Sequence, residues 1–242
     1  TSVGAGLSTY TTGVAGNYTV IVTNGNSCID TSNVIALSLS TAPLCGVYTI
    51  PGSGCTSFPT INAAATYLNN YGVSCAVTFN VASGHTETAP SGGIVLGSAT
   101  LNSGPNATSA VKTITFQKNG AGAKPRVNAW VGNQVPSSAA PDGIWSLRGA
   151  DFITIDGIDL LDNNAANPAT MEYGFGLFKL NAGDGAQNNT IKNASVTLNR
   201  ANNVTSGGTL MGLGSVGIQV VNVAASAATT AITPLPISSA TP

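Results

Sequence analysis

Carboxylates are concentrated in one short part of this sequence. Five of the nine acidic residues fall within 21 residues, and several asparagines follow them. The members of this acidic segment are Asp142, Asp151, Asp156, Asp159, Asp162, Asn163, Asn164 and Asn167. Oxygen-rich groups of this kind bind Ca²⁺ or the hydroxyl groups of sugars, and a suitably spaced pair of carboxylates hydrolyses glycosidic bonds. The segment is therefore the first candidate for a ligand site or a catalytic site.

Three roles are open for this acidic segment. A catalytic site would use Asp151, Asp156 and Asp159, with Arg148 as the nearest cation. A ligand site would use Asp156, Asp159, Asp162, Asn163 and Asn164, with Ca²⁺ held by Asp159 and Asp162. The role that we favour is turn chemistry, because Asp and Asn side chains between strands commonly bond to nearby backbone. In that case Arg148 is an ion-pair partner of the acids, and neither a catalytic residue nor a required cofactor is expected.

The chain has one histidine, His85, which stands two residues before Glu87. In an extended segment both side chains lie on one face, and such a pair could act as acid and base. Triad-type catalysis would depend on this single imidazole, and the sequence contains no GxSxG motif. We therefore favour a structural role for the pair.

The composition excludes several classes of protein. Of 242 residues, 8 are Lys or Arg and 9 are Asp or Glu, so charged residues make up 7% and the net charge is −1. A surface of this kind cannot neutralise nucleic-acid phosphates. No apolar run approaches the roughly 18 residues that would cross a bilayer. We expect neither a nucleic-acid partner nor membrane insertion.

Four cysteines, Cys28, Cys45, Cys55 and Cys75, lie in the first third of the chain. No CxxC pair or histidine accompanies them, so a zinc site is disfavoured and disulfides are favoured. We therefore expect a secreted or cell-surface protein. Cys75 is expected in a bridge, with Cys45 or Cys55 as its partner: Cys45 if the strands at residues 47 and 77 are parallel neighbours, Cys55 if the bridge spans the helix between them.

Residues 1–41 have their own strand pattern. The β-rich runs at 18–22 and 33–39 flank the turn residues 24–27 and predict a hairpin. Two strands cannot bury a face alone, so the hairpin needs partner strands, which we expect upstream of residue 1.

Residues 42–242 have the pattern of a stacked repeat. A strand at 47–50 is followed by a helix at 59–70, with Ser57 able to cap it, Pro59 in its first turn and Gly72 at its end. Short β runs separated by turn residues follow, and GIWSLRGADFITIDGIDL and GFGLFKLNAGDGAQNNTIKNASVTL look like successive copies. In these copies Ile153 and Ile155 should point inward, with Ile191 equivalent to Ile155. The helix would cap one end at about residues 45–75, and the repeat is expected to continue past residue 242.

Two resemblances to known families follow from these segments. Gly16-Asn17-Tyr18, the Asn-Gly turn and the cysteine of residues 16–39 resemble the last two strands of immunoglobulin-like repeats in large surface proteins of Bacteroidetes-type bacteria. This resemblance implies that Cys28 pairs with an upstream cysteine. The order of YTI, TINAAATYLNNYGV, VTFNVASGHTE, TITFQ and FITIDGIDL is similar to the right-handed parallel β-helix domains, pectin-lyase-like in fold, of secreted proteins from the same bacteria.

The second resemblance implies a structural role for His85, at a position where this chain departs from the pattern of related β-helices. Related β-helices often have Gly-x-Tyr-x-Glu in the first coil, where this chain has Gly84-His85-Thr86-Glu87, so His85 would stand in for a structural aromatic residue. Lyases of this fold use Arg or Lys together with bound calcium. The basic residues of this chain are dispersed.

Together these observations predict an all-β chain: part of an immunoglobulin-like β-sandwich (1–41), then a right-handed parallel β-helix with an N-terminal capping helix (42–242). We expect a non-catalytic structural or adhesive segment of a long extracellular bacterial protein, of the kind involved in adhesion, gliding motility, type IX secretion or surface filaments. Its expected partners are a glycan, a surface or neighbouring copies of itself. One alternative is a pectin-lyase-like enzyme acting on polysaccharide, and another is a self-assembling filament subunit.

Overall fold

A computed structural model describes residues 16–37, 41–132, 142–162, 171–199 and 216–224. The chain divides into two compact units, Thr1–Ala42 and Pro43–Pro242. Strands predominate, and the described residues include two helices, so the predicted all-β class is confirmed. Within the same residues, no helix is long and apolar enough to cross a membrane.

The first unit contains a two-part antiparallel ribbon. Its strands are β1 (Gly16–Tyr18), β2 (Ile21–Thr23), β3 (Ile29–Thr31) and β4 (Ile35–Leu37). β1 pairs with β4, and β2 pairs with β3 across a turn in which Asn24 Oδ1 accepts the N–H groups of Asn26 and Cys28. Ile21 and Ile29 are 65% and 69% exposed. The ribbon agrees with a hairpin, whereas a second layer that would make an immunoglobulin-like sandwich is not found among residues 16–37.

The second unit carries the remaining elements. In chain order they are β5 (Leu44–Ile50), α1 (Ile61–Tyr71), β6 (Val73–Ala82), β7 (Thr86–Thr88), β8 (Ile94–Leu96), α2 (Ala99–Asn102), β9 (Ile114–Asn119), β10 (Arg126–Asn128), β11 (Gly143–Arg148), β12 (Ile153–Asp156), β13 (Asp159–Leu161), β14 (Tyr173–Lys179), β15 (Thr190–Lys192), β16 (Val196–Thr197) and β17 (Val216–Ala224).

These strands form three parallel sheets that the chain visits in rotation. The first sheet has the order β15-β12-β9-β6-β5, the second β16-β13-β10-β7, and the third β17-β14-β11-β8. From β6 onward each strand is followed by a strand of the next sheet, so the chain returns to the first sheet after three strands. We call one such passage a circuit: β6 to β8 is the first, β9 to β11 the second, β12 to β14 the third and β15 to β17 the fourth.

Alternate residues of the strands in the first sheet point into the main apolar core. Ile153 and Ile155 are fully buried, and Ile155 lies opposite Ile191, so both predictions for this strand are confirmed. In the same sheet the rings of Phe79 and Phe116 stack with centroids 4.5 Å apart. Because side chains at equivalent positions of successive circuits lie one strand spacing apart, they form columns across the strands.

Helix α1 closes one side of this core. Its buried face consists of Ile61, Ala64, Ala65 and Leu68, which recur at helical spacing. Thr60 is the N-cap, accepting a hydrogen bond from Ala63 N, so the predicted capping by Ser57 is wrong and Pro59 precedes the helix rather than opening it. Gly72 ends the helix as predicted, with a φ of 69° that suits glycine.

A disulfide joins Cys45 and Cys75, with their Cα atoms 4.8 Å apart. The sequence left Cys45 and Cys55 open as partners of Cys75, and the structure selects Cys45. Gly46 lies opposite Val77, so the strands are displaced by one residue from the register that would set residues 47 and 77 side by side. An irregularity in the pairing of β5 with β6 at this point accommodates both cysteines.

We expect the double substitution Cys45→Ala/Cys75→Ala to lower the free energy of unfolding by about 3–4 kcal/mol, because the bridge closes a loop of 30 residues and restricts the unfolded chain. Urea unfolding followed by circular dichroism would measure this. Cys55→Ala is the matched control, since that thiol is free and exposed. Equal midpoints for the double variant and the control would contradict the expectation.

Candidate functional site

Glu87 and His85 lie at the start of helix α1. Glu87 Oε2 is 2.8 Å from His85 Nε2, and both side chains are more than nine-tenths buried. The same carboxylate accepts the N–H of Ile61 at 2.7 Å and the N–H of Asn62 at 3.1 Å. Carboxylates are favoured here because the first N–H groups of a helix have no partner within it. The hydrogen bonds of this pair thus hold α1 against β7.

Helix α1 also provides hydrogen-bond partners for backbone groups at the free edge of β8, the terminal strand of the third sheet. The Asn69 side chain donates to Val95 O at 2.8 Å and accepts the N–H of Gly97 at 2.9 Å. An amide side chain carries the same donor and acceptor as a peptide unit, so Asn69 takes the place of a neighbouring strand. Free strand edges at this side of the second unit are thereby partly covered.

Three aspartates of the acidic segment bond to the backbone of the next circuit. Asp159 Oδ1 accepts the N–H of Ser195 at 2.8 Å, and Asp162 Oδ2 accepts that of Asn199 at 3.4 Å. Asp151 Oδ1 accepts the N–H of Gln187 in the same manner. Each acceptor and donor are 36 or 37 residues apart. These carboxylates therefore connect circuits at a constant repeat.

Asp156 forms polar contacts with the next circuit through side chains. Its Oδ1 accepts a hydrogen bond from Asn193 Nδ2 at 2.7 Å, and its Oδ2 lies 3.3 Å from Lys192 Nζ. The hydrogen bond from Asn193, and to a lesser degree Lys192, lowers the pKa of Asp156. Lys192 is directly opposite Asp156 in the pairing of β15 with β12. Asp156 is therefore a charged member of a cross-strand ladder.

The residues of the catalytic hypothesis are spread over three sheets. Asp156 lies in β12 of the first sheet, Asp159 in β13 of the second, and Arg148 at the end of β11 in the third. Arg148 Nε donates to Ser146 Oγ at 3.2 Å. Asn163, Asn164 and Asn167 lie outside the described residues.

Asp159 and Asp162, the two residues that the calcium hypothesis names, both have other contacts in the structure. Asp159 lies 3.6 Å from Lys124 Nζ in addition to its bond from Ser195. Among the residues that the structure describes, no three His, Cys, Asp or Glu side chains are grouped as a metal site.

Glu172, just before β14, has a strongly raised pKa. Burial is the main cause that raises the pKa of Glu172 to about 7, and the nearby charge of Asp142 adds to it, against the lowering effect of a hydrogen bond. That bond runs from Asp142 N to Glu172 Oε2 at 2.6 Å. A carboxyl group with a pKa near neutrality is suited to general acid or base chemistry.

Tyr173 adjoins this pair on the third sheet. Burial raises the pKa of its hydroxyl, while Arg148 and Ser146 act in the opposite direction. The Tyr173 ring occupies the space that a side chain at Gly143 would need, and the rings of Phe178 and Tyr173 occupy that at Gly176, which explains glycine at both positions. Asp142, Glu172, Tyr173, Ser146 and Arg148 together form what we call the third-sheet cluster.

A second carboxyl pair lies past the other end of the same strands. Burial raises the pKa of Asp151, and the charge of Asp184 contributes. Burial also raises the pKa of Asp184, although Asn102 Nδ2 donates to its Oδ2 at 3.0 Å.

The sequence-based search for sites did not single out Glu172 or Asp184. A signal for Glu172 is present: Asp142 precedes the strand GIWSLR, and Glu172 precedes the equivalent strand YGFGLFK. Aligning the two copies would have placed the acids side by side. Comparisons of the chain with protein-family models, with curated proteins and with solved structures returned no match.

Proposed function

We propose that this chain is a non-catalytic structural and adhesive segment of a long extracellular bacterial protein. In this proposal the second unit is a right-handed parallel β-helix capped by α1, and the first unit is part of an immunoglobulin-like module. The segment is secreted or displayed at the cell surface and binds a neutral glycan. The rotation of the chain through three parallel sheets supports the β-helix, and the Cys45–Cys75 disulfide is consistent with an extracellular location.

One observation carries the proposal: the aspartates of the acidic segment that could form a catalytic site are used to join circuits. Asp151 and Asp159 each accept a backbone N–H from the following circuit, and Asp156 is bonded to Lys192 and Asn193. Carboxylates bonded in this way indicate a structural role rather than a catalytic one, because a catalytic carboxylate needs oxygen atoms directed at a substrate.

A binding surface for the glycan is available on the first sheet. Thr78, Thr115, Thr154 and Thr190 lie opposite one another on successive strands. We call this set the threonine row. Their neighbours along each strand point into the core, so the hydroxyl groups face outward at the spacing of adjacent strands, about 4.8 Å. A row of uncharged donors and acceptors suits an extended neutral polysaccharide lying across the strands.

The test is retention on insoluble neutral polysaccharides such as cellulose, chitin and mannan. Thr115→Val/Thr154→Val removes two hydroxyl groups with little change in shape and should weaken retention about tenfold, since two hydrogen bonds are lost. Thr86→Val/Thr88→Val on the second sheet is the matched control and should retain the unmodified affinity. Binding that is absent for the unmodified chain, or equal loss in both variants, would refute the adhesive assignment.

A second candidate is a carbohydrate-active enzyme, and the third-sheet cluster favours it. Glu172, with its raised pKa, could protonate a leaving group, and Asp142 supplies a second carboxyl group beside it. Release of reducing or unsaturated sugar ends from the same polysaccharides would reveal such an enzyme. Loss of that release in Glu172→Gln, with retention in Asp156→Asn, would assign turnover to the cluster and replace the adhesive proposal.

The filament alternative has less support. Head-to-tail addition of strands requires open sheet edges at both ends of the stack. At the side of β7 and β8, helix α1 bonds through Asn69 to the edge of β8 and through its own N–H groups to Glu87.

A further inference from the structure

Four carboxyl groups flank the pairing of β11 with β14. Asp142 and Asp151 lie before and after β11, and Glu172 and Asp184 lie before and after β14. The two strands pair from Gly143 opposite Tyr173 to Arg148 opposite Phe178. The join between the second and third circuits therefore has acidic side chains at both ends.

At the first end, where β11 and β14 begin, the side chain of Glu172 forms one of the hydrogen bonds that connect the two circuits. Its Oε2 accepts the N–H of Asp142 at 2.6 Å, and Asp142 O accepts the N–H groups of Glu172 at 2.9 Å and Tyr173 at 3.2 Å. Next along the third sheet, Glu172 O accepts the N–H of Val216 at 2.7 Å. Residue 172 thus links three successive strands.

At the other end, Asp151 bonds to Gln187 N, and Asp184 bonds to the Asn102 side chain. Within the described part of the chain, none of Asp151, Glu172 and Asp184 forms an ion pair. The carboxyl oxygens of all three accept hydrogen bonds from the neighbouring circuits.

The basic side chains of these two strands also donate hydrogen bonds. Arg148 donates to Ser146 and interacts with Tyr173. Lys179 Nζ donates to Ala182 O at 3.3 Å.

We propose that the join between β11 and β14 is a proton-dependent latch, tight when Glu172 holds a proton and weaker when it ionises. The proposal is independent of the adhesive function. Ionisation would place a second, partly buried negative charge beside Asp142 at one end of the strand pair, which favours separation of the third and fourth circuits from the second.

The direction of the pH effect follows from Glu172. The folded chain binds its proton up to about pH 7, whereas the unfolded chain releases it near the ordinary value of 4.5. The folded state therefore binds more protons between these values, and the stabilisation by the latch falls as pH rises through this window. Below the window it is complete, and above the window no further loss occurs.

The test compares the unmodified chain with Glu172→Gln, whose amide is uncharged and still offers an oxygen to Asp142 N. We expect the ratio of their unfolding constants to grow about ten- to a hundredfold between about pH 5 and about pH 8.5, with the variant the more stable at high pH. Corrected hydrogen-exchange protection of residues 173–179 should rise in the variant at the higher pH.

Asp156→Asn is the matched control, because the pKa of Asp156 is lowered and its loss should not stabilise the chain at high pH. The chain has two glutamates, Glu87 and Glu172, so ¹³C-glutamate labelling gives two carboxyl signals that titrate separately. A Glu172 signal that titrates near its ordinary value would overturn the latch. So would a stability difference that does not change with pH, or one shared by Asp156→Asn.

Discussion

Replacement of Glu87 by alanine is expected to lower the free energy of unfolding of the second unit by about 3–5 kcal/mol. The substitution removes two hydrogen bonds from a charged acceptor to Ile61 N and Asn62 N, each contributing about 1.5–3 kcal/mol. It also leaves the buried His85 ring without its partner at 2.8 Å. Chemical unfolding monitored by circular dichroism at the helical band would measure the change.

Two further variants separate this role from a general effect of substitution in β7. Thr88→Ala, on the same strand and exposed, should change stability by less than about 0.5 kcal/mol. Glu87→Gln should be intermediate, because an amide oxygen accepts a hydrogen bond without the negative charge. An alanine variant within about 1 kcal/mol of the unmodified chain would show that the carboxylate does not hold the helix.

Phe116→Ala should cost about 3–5 kcal/mol, because it leaves a cavity in the centre of the core. Phe116 is fully buried, stacked on Phe79 at 4.5 Å and edge-on to Trp145 at 5.4 Å. It therefore connects the first sheet with the third. Equilibrium unfolding in urea, with tryptophan fluorescence as the probe, would report both the loss of stability and the loosened packing around Trp145.

The matched control for the core is Val47→Ala, in the same sheet but 60% exposed, which should have little effect. Phe116→Leu should fall between the two, since it removes less volume. If Phe116→Ala unfolds at the same urea concentration as Val47→Ala, the contacts of Phe116 with Phe79 and Trp145 do not hold the circuits together.

The inward-facing residues could be predicted from sequence because the alternation of a strand is a local property. Ile153 and Ile155 stand two apart between polar residues, and this alone fixes which side chains enter the core. The equivalence of Ile155 and Ile191 followed from comparing the two copies, and the pairing of β12 with β15 confirms it.

Features that depend on contacts between distant residues could not be obtained in this way. The one-residue displacement that sets Gly46 opposite Val77 arises where the disulfide crosses two strands, and composition does not encode it. Helix α2 has four residues, too few for a helical period to be recognised.

The candidate site likewise combines local features that could be predicted from sequence with features that depend on distant contacts. The acidic segment was visible as a cluster in sequence, but which acids become buried depends on how circuits stack. Glu172 has an ordinary surface-type sequence context, and its pKa rises mainly because stacking of the circuits buries its side chain, next to Asp142 from 30 residues earlier. Local sequence carries no measure of that burial.

The connections between the third and first sheets differ greatly in length while the strands they join remain in register. They comprise residues 97–113 after β8, 149–152 after β11 and 180–189 after β14, which are 17, 4 and 10 residues. Insertions are therefore tolerated at this corner without disturbing the hydrogen-bonded ladder on either side. The molecule has in effect a row of grafting positions, stacked one above another, where foreign peptides could be displayed at intervals set by the strand spacing.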